Sequence, residues 1–199
     1  MKVVILAGGL GTRLSEYTNL IPKPMVQINS KPIIMHIIDI YRKYRLNDFY
    51  IAAGYKSNVI RNYFEKIALK KKIIIPKKIV NYQLKNNLNV NIVETGSDTL
   101  TGGRLLRLKP FFKNEDFFLT YGDGLSNVNI KKLLLFHKKH KKMCTVTAVR
   151  PPARFGMLEI NKNNKVLTFD EKNPLSVGWI NGGFFVLNSD FFNFLKNDQ

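Results

Sequence analysis

Short apolar runs of strand length alternate along the chain with longer stretches whose apolar residues recur at helical spacing. Lys2 to Leu6 is the first strand run, rich in β-branched residues and broken at Ala7-Gly8-Gly9. Pro32 then opens a predicted core-facing helix through Ile33 to Tyr41. A second strand covers Asp48 to Ala53 and stops at Gly54. Ser57 is placed to cap a helix over 58–69, with Val59, Ile60, Tyr63, Phe64 and Ile67 on one face. From Lys70 to Asn89 the period fails, and lysine clusters alternate with β-branched pairs. This segment reads as a hairpin or packing arm that leaves the fold and meets a second subunit, making the protein a homo-oligomer.

Asn89 to Glu94 resumes the strand pattern, and Phe117-Phe118-Leu119-Thr120 is a continuous apolar run of the kind buried on both faces. A lysine-rich amphipathic helix is predicted over 129–142, with Ile130, Leu133, Leu134 and Phe136 inward. Thr145 to Val149 is a further strand, and Met157 to Ile160 pairs with Val166 to Phe169 as a hairpin. Phe184 to Leu187 leads into a last helix capped by Ser189. No repeat or linker divides the 199 residues, which read as one domain, 1–199. Strands alternating with helices, with polar glycine loops at the strand ends, imply an α/β fold. Its sheet is open and carries a ligand crevice over the carboxyl ends of its strands.

The first strand ends in Leu6-Ala7-Gly8-Gly9-Leu10-Gly11-Thr12-Arg13, and Pro22-Lys23-Pro24-Met25 follows. Glycines let backbone N–H groups approach an anion, and a guanidinium grips phosphate oxygens through two bonds at once. The loop is not a P-loop, because no Gly-Lys-Ser/Thr follows a four-residue spacer. Nor is it a dinucleotide fingerprint, because Leu14 stands where the third small residue belongs.

Two more loops stand at predicted strand ends. Thr95 to Arg104 is polar and glycine-rich and enters a helix, so it presents hydroxyls and N–H groups, or serves only as a loop with a good N-cap. Tyr121-Gly122-Asp123-Gly124 places a carboxylate after a buried strand, which suits a hard cation such as Mg²⁺ and equally an Asp-Gly turn. His36 reads as a packed side chain, and His137 and His140 as partners of a helix dipole with no chemistry.

Composition changes this picture little. The net charge of +18 comes mostly from lysine spread along the chain, without the interleaved arginine and aromatics of nucleic-acid surfaces, so it reads as a solvated lysine surface with no nucleic-acid partner. A basic cleft favours anionic small substrates. The lone Cys144 excludes an internal disulfide, fits a reducing cytoplasm, and reads as a small buried residue. No stretch approaches the roughly 20 apolar residues of a membrane helix, so no membrane partner is expected.

Taken together, LAGGLGTRLSE at Leu6 to Glu16, PKPM at Pro22 to Met25, TLTGGRL at Thr99 to Leu105, YGDG at Tyr121 to Gly124, RFG at Arg154 to Gly156 and NGGFFVL at Asn181 to Leu187 resemble the sugar nucleotidylyltransferases. TGGRL, YGDG and RFG together point to the cytidylyl branch. The resemblance implies the nucleotide-diphospho-sugar transferase fold, a Rossmann-like open, mixed, mostly parallel sheet with helices on both faces. It implies transfer of a cytidylyl group from CTP to glucose 1-phosphate, giving CDP-glucose for dideoxy sugars of surface polysaccharide and pyrophosphate. Uridylyl or thymidylyl transfer, and a non-catalytic nucleotide-binding remnant, stay open as alternatives, as does, behind them, a basic nucleic-acid-binding protein suggested by the charge.

By this resemblance the backbone of Leu6, Ala7, Gly8, Gly9, Leu10 and Gly11 would lie along the nucleotide. Thr12 and Arg13 would hold the departing phosphates, and Lys23 would contact the reacting one. Thr99 and Arg104 would belong to the cytosine nucleotide's pocket, Gly122 would approach the nucleoside, and Asp123 would bind the Mg²⁺ cofactor. Glu171 and Asn181 would bond sugar hydroxyls, and Lys172 would hold the sugar phosphate, although the family's Glu-Lys-Pro is Glu171-Lys172-Asn173 here. Family members continue further and supply a second metal-binding aspartate, so a C-terminal segment is expected to be missing from these 199 residues. Arg13→Ala is expected to keep the fold and lose about 10²–10³ in turnover, the scale of a preorganised charge contact. A pyrophosphate-release assay on the purified variant checks this, and wild-type turnover would remove Arg13 from the site.

Overall fold

The computed structural model describes residues 1–9, 21–74, 79–151, 157–170 and 178–197. Val3–Ala7 forms strand β1. Two short strands, β2 (Gln27–Ile28) and β3 (Lys31–Pro32), make a small ribbon ahead of helix α1 (Ile33–Arg42). Next come β4 (Asp48–Ala53), α2 (Ser57–Ile67), β5 (Lys70–Ile74), β6 (Ile79–Leu84) and β7 (Leu88–Glu94). Helix α3 (Thr101–Leu108) leads to β8 (Asp116–Tyr121), and α4 (Ile130–His140) leads to β9 (Cys144–Val149). The chain closes with β10 (Met157–Ile160), β11 (Val166–Asp170), β12 (Ile180–Asn188) and a 3-10 turn over Ser189–Phe194.

These elements pack as two units, Met1–Thr145 with Gly183–Gln199, and Val146–Gly182. The larger unit is built on a sheet of order β5-β6-β7-β4-β1-β8-β12-β9, to which the last two strands contribute their Gly183–Asn188 and Cys144–Thr145 ends. The central four, β7, β4, β1 and β8, are parallel, and β6 and β12 flank them antiparallel. All four parallel strands therefore end at one edge. Chain order reverses direction between β1 and β8, the place where open α/β sheets bind ligands.

Alternate residues of each central strand feed two cores, which is why these strands read as unbroken apolar runs. Val3, Ile5, Phe49, Ile51 and Phe118 pack under α1, α2 and α4 with Ile34, Ile37, Tyr41, Ile60, Phe64 and Leu133. Val4, Ala52, Phe117 and Leu119 face the other way, against Leu105, Leu108, Phe112 and Phe192. The Tyr41 ring lies between Phe118, at 5.5 Å, and Phe184, at 6.0 Å, tying α1 to the middle of the sheet. In the smaller unit β10 and β11 form the expected antiparallel hairpin.

Several local expectations are corrected. The lysine-rich segment is an antiparallel strand pair, in keeping with the hairpin expected, but in place of leaving the fold it adds β5 and β6 to the sheet. Helix α2 begins at Ser57 itself, after Lys56 turns the chain at φ 51°, and stops at Ile67 because the Leu69 N–H is taken by the Gln83 carbonyl at 2.8 Å. Asn188 caps the last turn in place of Ser189, its side chain accepting from Asp190 N at 2.9 Å. Cys144 is exposed, since it opens the strand at the sheet's edge. On α4, Phe136 points outward and His137 inward. Ile130, Leu133 and His137 are the buried set, at positions three and seven residues on.

His137 is held there by chemistry. Its Nδ1 lies 2.8 Å from Thr145 Oγ1, which also meets His140 Nε2 at 2.6 Å, and its Nε2 lies 3.8 Å from Asp116. Burial disfavours the imidazolium and lowers the His137 pKa, against the opposing pull of Asp116. The unfolded chain accepts a proton near pH 6.5 that the folded chain refuses, so this contribution to stability is complete above that pH and lost below it. Chemical denaturation between pH 7.5 and 5.5 is expected to show stability falling on acidification, with a shallower fall in His137→Gln. Equal slopes would contradict the assignment.

Candidate active site

At the carboxyl edge of the parallel strands a cavity of about 240 Å³ is lined by Leu6, Ala7, Gly8, Gly9, Lys23, Pro24, Thr99, Leu100, Thr101, Arg104, Tyr121, Gly122 and Asp123. Every predicted site residue of the larger unit that falls in the described residues is in this set. Asn181 lies on β12 in the smaller unit. Leu10, Gly11, Thr12, Arg13, Glu171 and Lys172 lie outside the described residues.

The parallel pairing of β1 with β8 brings residues distant in sequence together. Leu6 stands opposite Tyr121, and the Gly122 N–H donates to the Leu6 carbonyl at 2.8 Å. Asp123 is thereby held at the end of β8. Lys23 reaches it from a 3-10 turn, Lys23–Met25, closed by Met25 N–H to the Pro22 carbonyl at 2.8 Å. Lys23 Nζ is 3.6 Å from Asp123 Oδ2, with the lysine 18% and the aspartate 45% exposed. So long and half-solvated a pair is worth about 1 kcal/mol or less, and an arriving phosphate can take the ammonium at little cost.

Arg104 is the buried cation of the site, 4% exposed in the first half of α3. Its Nη1 donates to Thr95 Oγ1 at 2.8 Å and the Gly96 carbonyl at 2.6 Å, and its Nη2 to the Gly8 carbonyl at 2.7 Å and the Ser97 carbonyl at 3.1 Å. Thr95 Oγ1 passes the chain on to the Ala53 carbonyl at 2.6 Å, and the Tyr55 N–H reaches Gly8 O at 3.2 Å. One guanidinium thus ties the ends of β1, β4 and β7. Desolvation lowers its pKa, as does neighbouring Arg107, against Asp98. A guanidinium still stays protonated.

This crowding gives Gly8 its reason. Neither Gly8 nor Gly9 has positive φ. A Cβ built on Gly8, or on Gly54 at the end of β4, would fall on the Arg104 guanidinium. The glycine is required for close approach of a side chain from behind, which the sequence does not reveal.

Sequence reasoning also missed Pro24, Leu100, Thr101 and Tyr121, all within its own motifs. Leu100 holds the N-cap position of α3 with no side-chain oxygen to offer, so the polar loop is not a capping loop. The first N–H groups of α3 have no side-chain cap, and Thr101 lines the cavity. Among the described residues no three His, Cys, Asp or Glu side chains come together as a metal cage. Among the described residues that line the cavity Asp123 is the one carboxylate, a donor set that fits Mg²⁺ completed by substrate oxygens and water.

The nucleotidyl transferase family model matches residues 2–199. The chain belongs to the sugar nucleotidylyltransferase family. It is 45% identical to the glucose-1-phosphate cytidylyltransferase of Salmonella typhimurium, over 100% of this chain and 79% of the relative. To the Bacillus subtilis protein named "Probable glucose-1-phosphate cytidylyltransferase" it is 42% identical over the same shares. Among solved nucleotidyltransferase-fold structures, HddC from Yersinia pseudotuberculosis superimposes with a TM-score of 0.69 at 24% identity, covering 100% of this chain and 81% of that one. The open α/β sheet expected from the alternation of strands and helices, and the nucleotidyltransferase fold implied by the family resemblance, are both observed.

Because Arg104 supplies four hydrogen bonds from a buried position, Arg104→Met is expected to destabilise the protein by about 3 kcal/mol in urea unfolding, the scale of hydrogen bonds to a charged group. Arg104→Lys is expected to recover only part of this, since an ammonium cannot span the fork. A loss under 0.5 kcal/mol in Arg104→Met would show that the clamp contributes little.

Proposed function

We propose that this protein transfers a cytidylyl group from CTP to glucose 1-phosphate, releasing pyrophosphate and forming CDP-glucose. The observation that carries the reading is 45% identity along the whole chain to a named cytidylyltransferase. Its TLTGGRL and YGDG residues Thr99, Arg104, Gly122 and Asp123 meet Lys23 around one cavity, in keeping with that reading. A phosphate oxygen of glucose 1-phosphate attacks the α-phosphorus of CTP. The bond from that phosphorus to the bridging oxygen of the β-phosphate breaks, and pyrophosphate carries away the electron pair. Such in-line transfer needs positioning and charge neutralisation more than a covalent catalyst.

The backbone of Leu6 to Gly9 lies along the nucleotide, Lys23 exchanges Asp123 for the reacting phosphate, and Thr99 with the start of α3 faces the nucleoside. Arg104 acts from behind, fixing the loops that form the pocket. Asp123 would hold Mg²⁺, which would supply charge neutralisation at the triphosphate. By the family resemblance Arg13 holds the departing phosphates, Glu171 and Asn181 bond sugar hydroxyls, and Lys172 holds the sugar phosphate. The product is an activated sugar for surface polysaccharide, made by a homo-oligomer in the cytoplasm.

With CTP, glucose 1-phosphate and Mg²⁺, the purified protein is expected to release pyrophosphate. Lys23→Ala and Asp123→Asn are each expected to lose about 10²–10³ in kcat with little change in thermal midpoint, because their mutual pair is weak and solvated. CTP binding without pyrophosphate release would instead support a non-catalytic nucleotide-binding protein.

A further inference from the structure

The outward face of α4 carries an apolar pair inside a ring of lysines. Leu135 and Phe136 are 57% and 61% exposed, and the Phe136 ring leans on His140 at 5.0 Å. Lys132, Leu135, Phe136 and Lys139 share one face by the three-and-four spacing of a helix, with exposed Lys131 and Lys138 beside them. Lys141 and Lys142, both exposed, extend the patch beyond the helix. From Asn129 to Lys142 there is no acidic residue. The opposite face is fixed in the protein by buried Ile130, Leu133 and His137, so the helix presents its outer side as a rigid surface.

We propose that this face docks on an anionic lipid surface, with Leu135 and Phe136 entering the boundary between headgroups and acyl chains. Six lysines flanking two large apolar side chains match the two forces that hold a helix in a membrane interface, charge attraction and apolar burial. Lysine suits this place because its stem lies along apolar surface while the ammonium reaches a phosphate. Nucleic acid fits less well: α4 has no arginine, and its centre is apolar. A twofold contact with a second copy would press lysine on lysine. The net charge of +18 draws the whole molecule toward negative surfaces. This is attachment, distinct from spanning, since no helix among the described residues is long and apolar enough to cross a membrane.

Co-sedimentation of the full chain with vesicles tests it. Binding is expected to vesicles of phosphatidylcholine with about a third phosphatidylglycerol, weakening with salt, and not to pure phosphatidylcholine. Lys132→Gln and Lys139→Gln are each expected to bind about fivefold more weakly. Leu135→Ser with Phe136→Ser is expected to lose about tenfold with all charges kept, while circular dichroism and pyrophosphate release stay at wild type. Equal binding to neutral vesicles, or unchanged binding in both sets of variants, overturns the proposal. So does tighter binding to a short RNA or DNA duplex abolished by the same changes, or a dimer in sedimentation that these changes dissolve. Should the double serine variant not fold, the two lysine variants decide alone.

Discussion

The crevice depends on one buried guanidinium. Arg104 joins carbonyl groups from the ends of β1 and β7 and, through Thr95, the end of β4. Strand ends are the least constrained part of an open sheet, because the ladder stops and each loop departs separately. A cation bonded to two of them, and through Thr95 to a third, converts separate loops into one rigid rim. Gly8 and Gly54 are the sequence consequence, since neither has room for a Cβ beside the arginine. The same cation leaves positive charge beneath a pocket for an anionic ligand.

Around this fixed rim sits a movable pair. Lys23 and Asp123 are loosely joined at 3.6 Å and partly solvated, in contrast with Arg104. The site thus sets a buried, multiply bonded arginine beside a weakly held, partly solvated lysine and aspartate, the pair that the proposed function makes its substrate contacts. That division suits a reaction whose reactants bring most of the charge themselves.

Much of this was legible in the chain. The strands stood out because those at the centre of the sheet are buried on both faces and cannot disguise their apolar runs, as in Phe117 to Thr120. The cavity was legible because its residues sit in glycine loops at strand ends, where packing explains little. What escaped was reversed or decided by individual hydrogen bonds. Phe136 looked like core and His137 like surface, yet Thr145 and Asp116 reward a buried imidazole. Arg104 looked like a ligand contact, and nothing in a sequence says that its donors go to carbonyls. Ser57 looked like a cap, but the turn at Lys56 carries the chain directly into the helix.

The central step is transfer of the cytidylyl group of CTP, by attack at its α-phosphorus, to a sugar phosphate at the β1–β8 crevice. Reaction with CTP labelled at the α-phosphorus, in the presence of glucose 1-phosphate and Mg²⁺, follows that atom directly. The label is expected in CDP-glucose, with unlabelled pyrophosphate released in equal amount. Label found in free CMP, or left in CTP while another nucleoside triphosphate is consumed, would contradict the account.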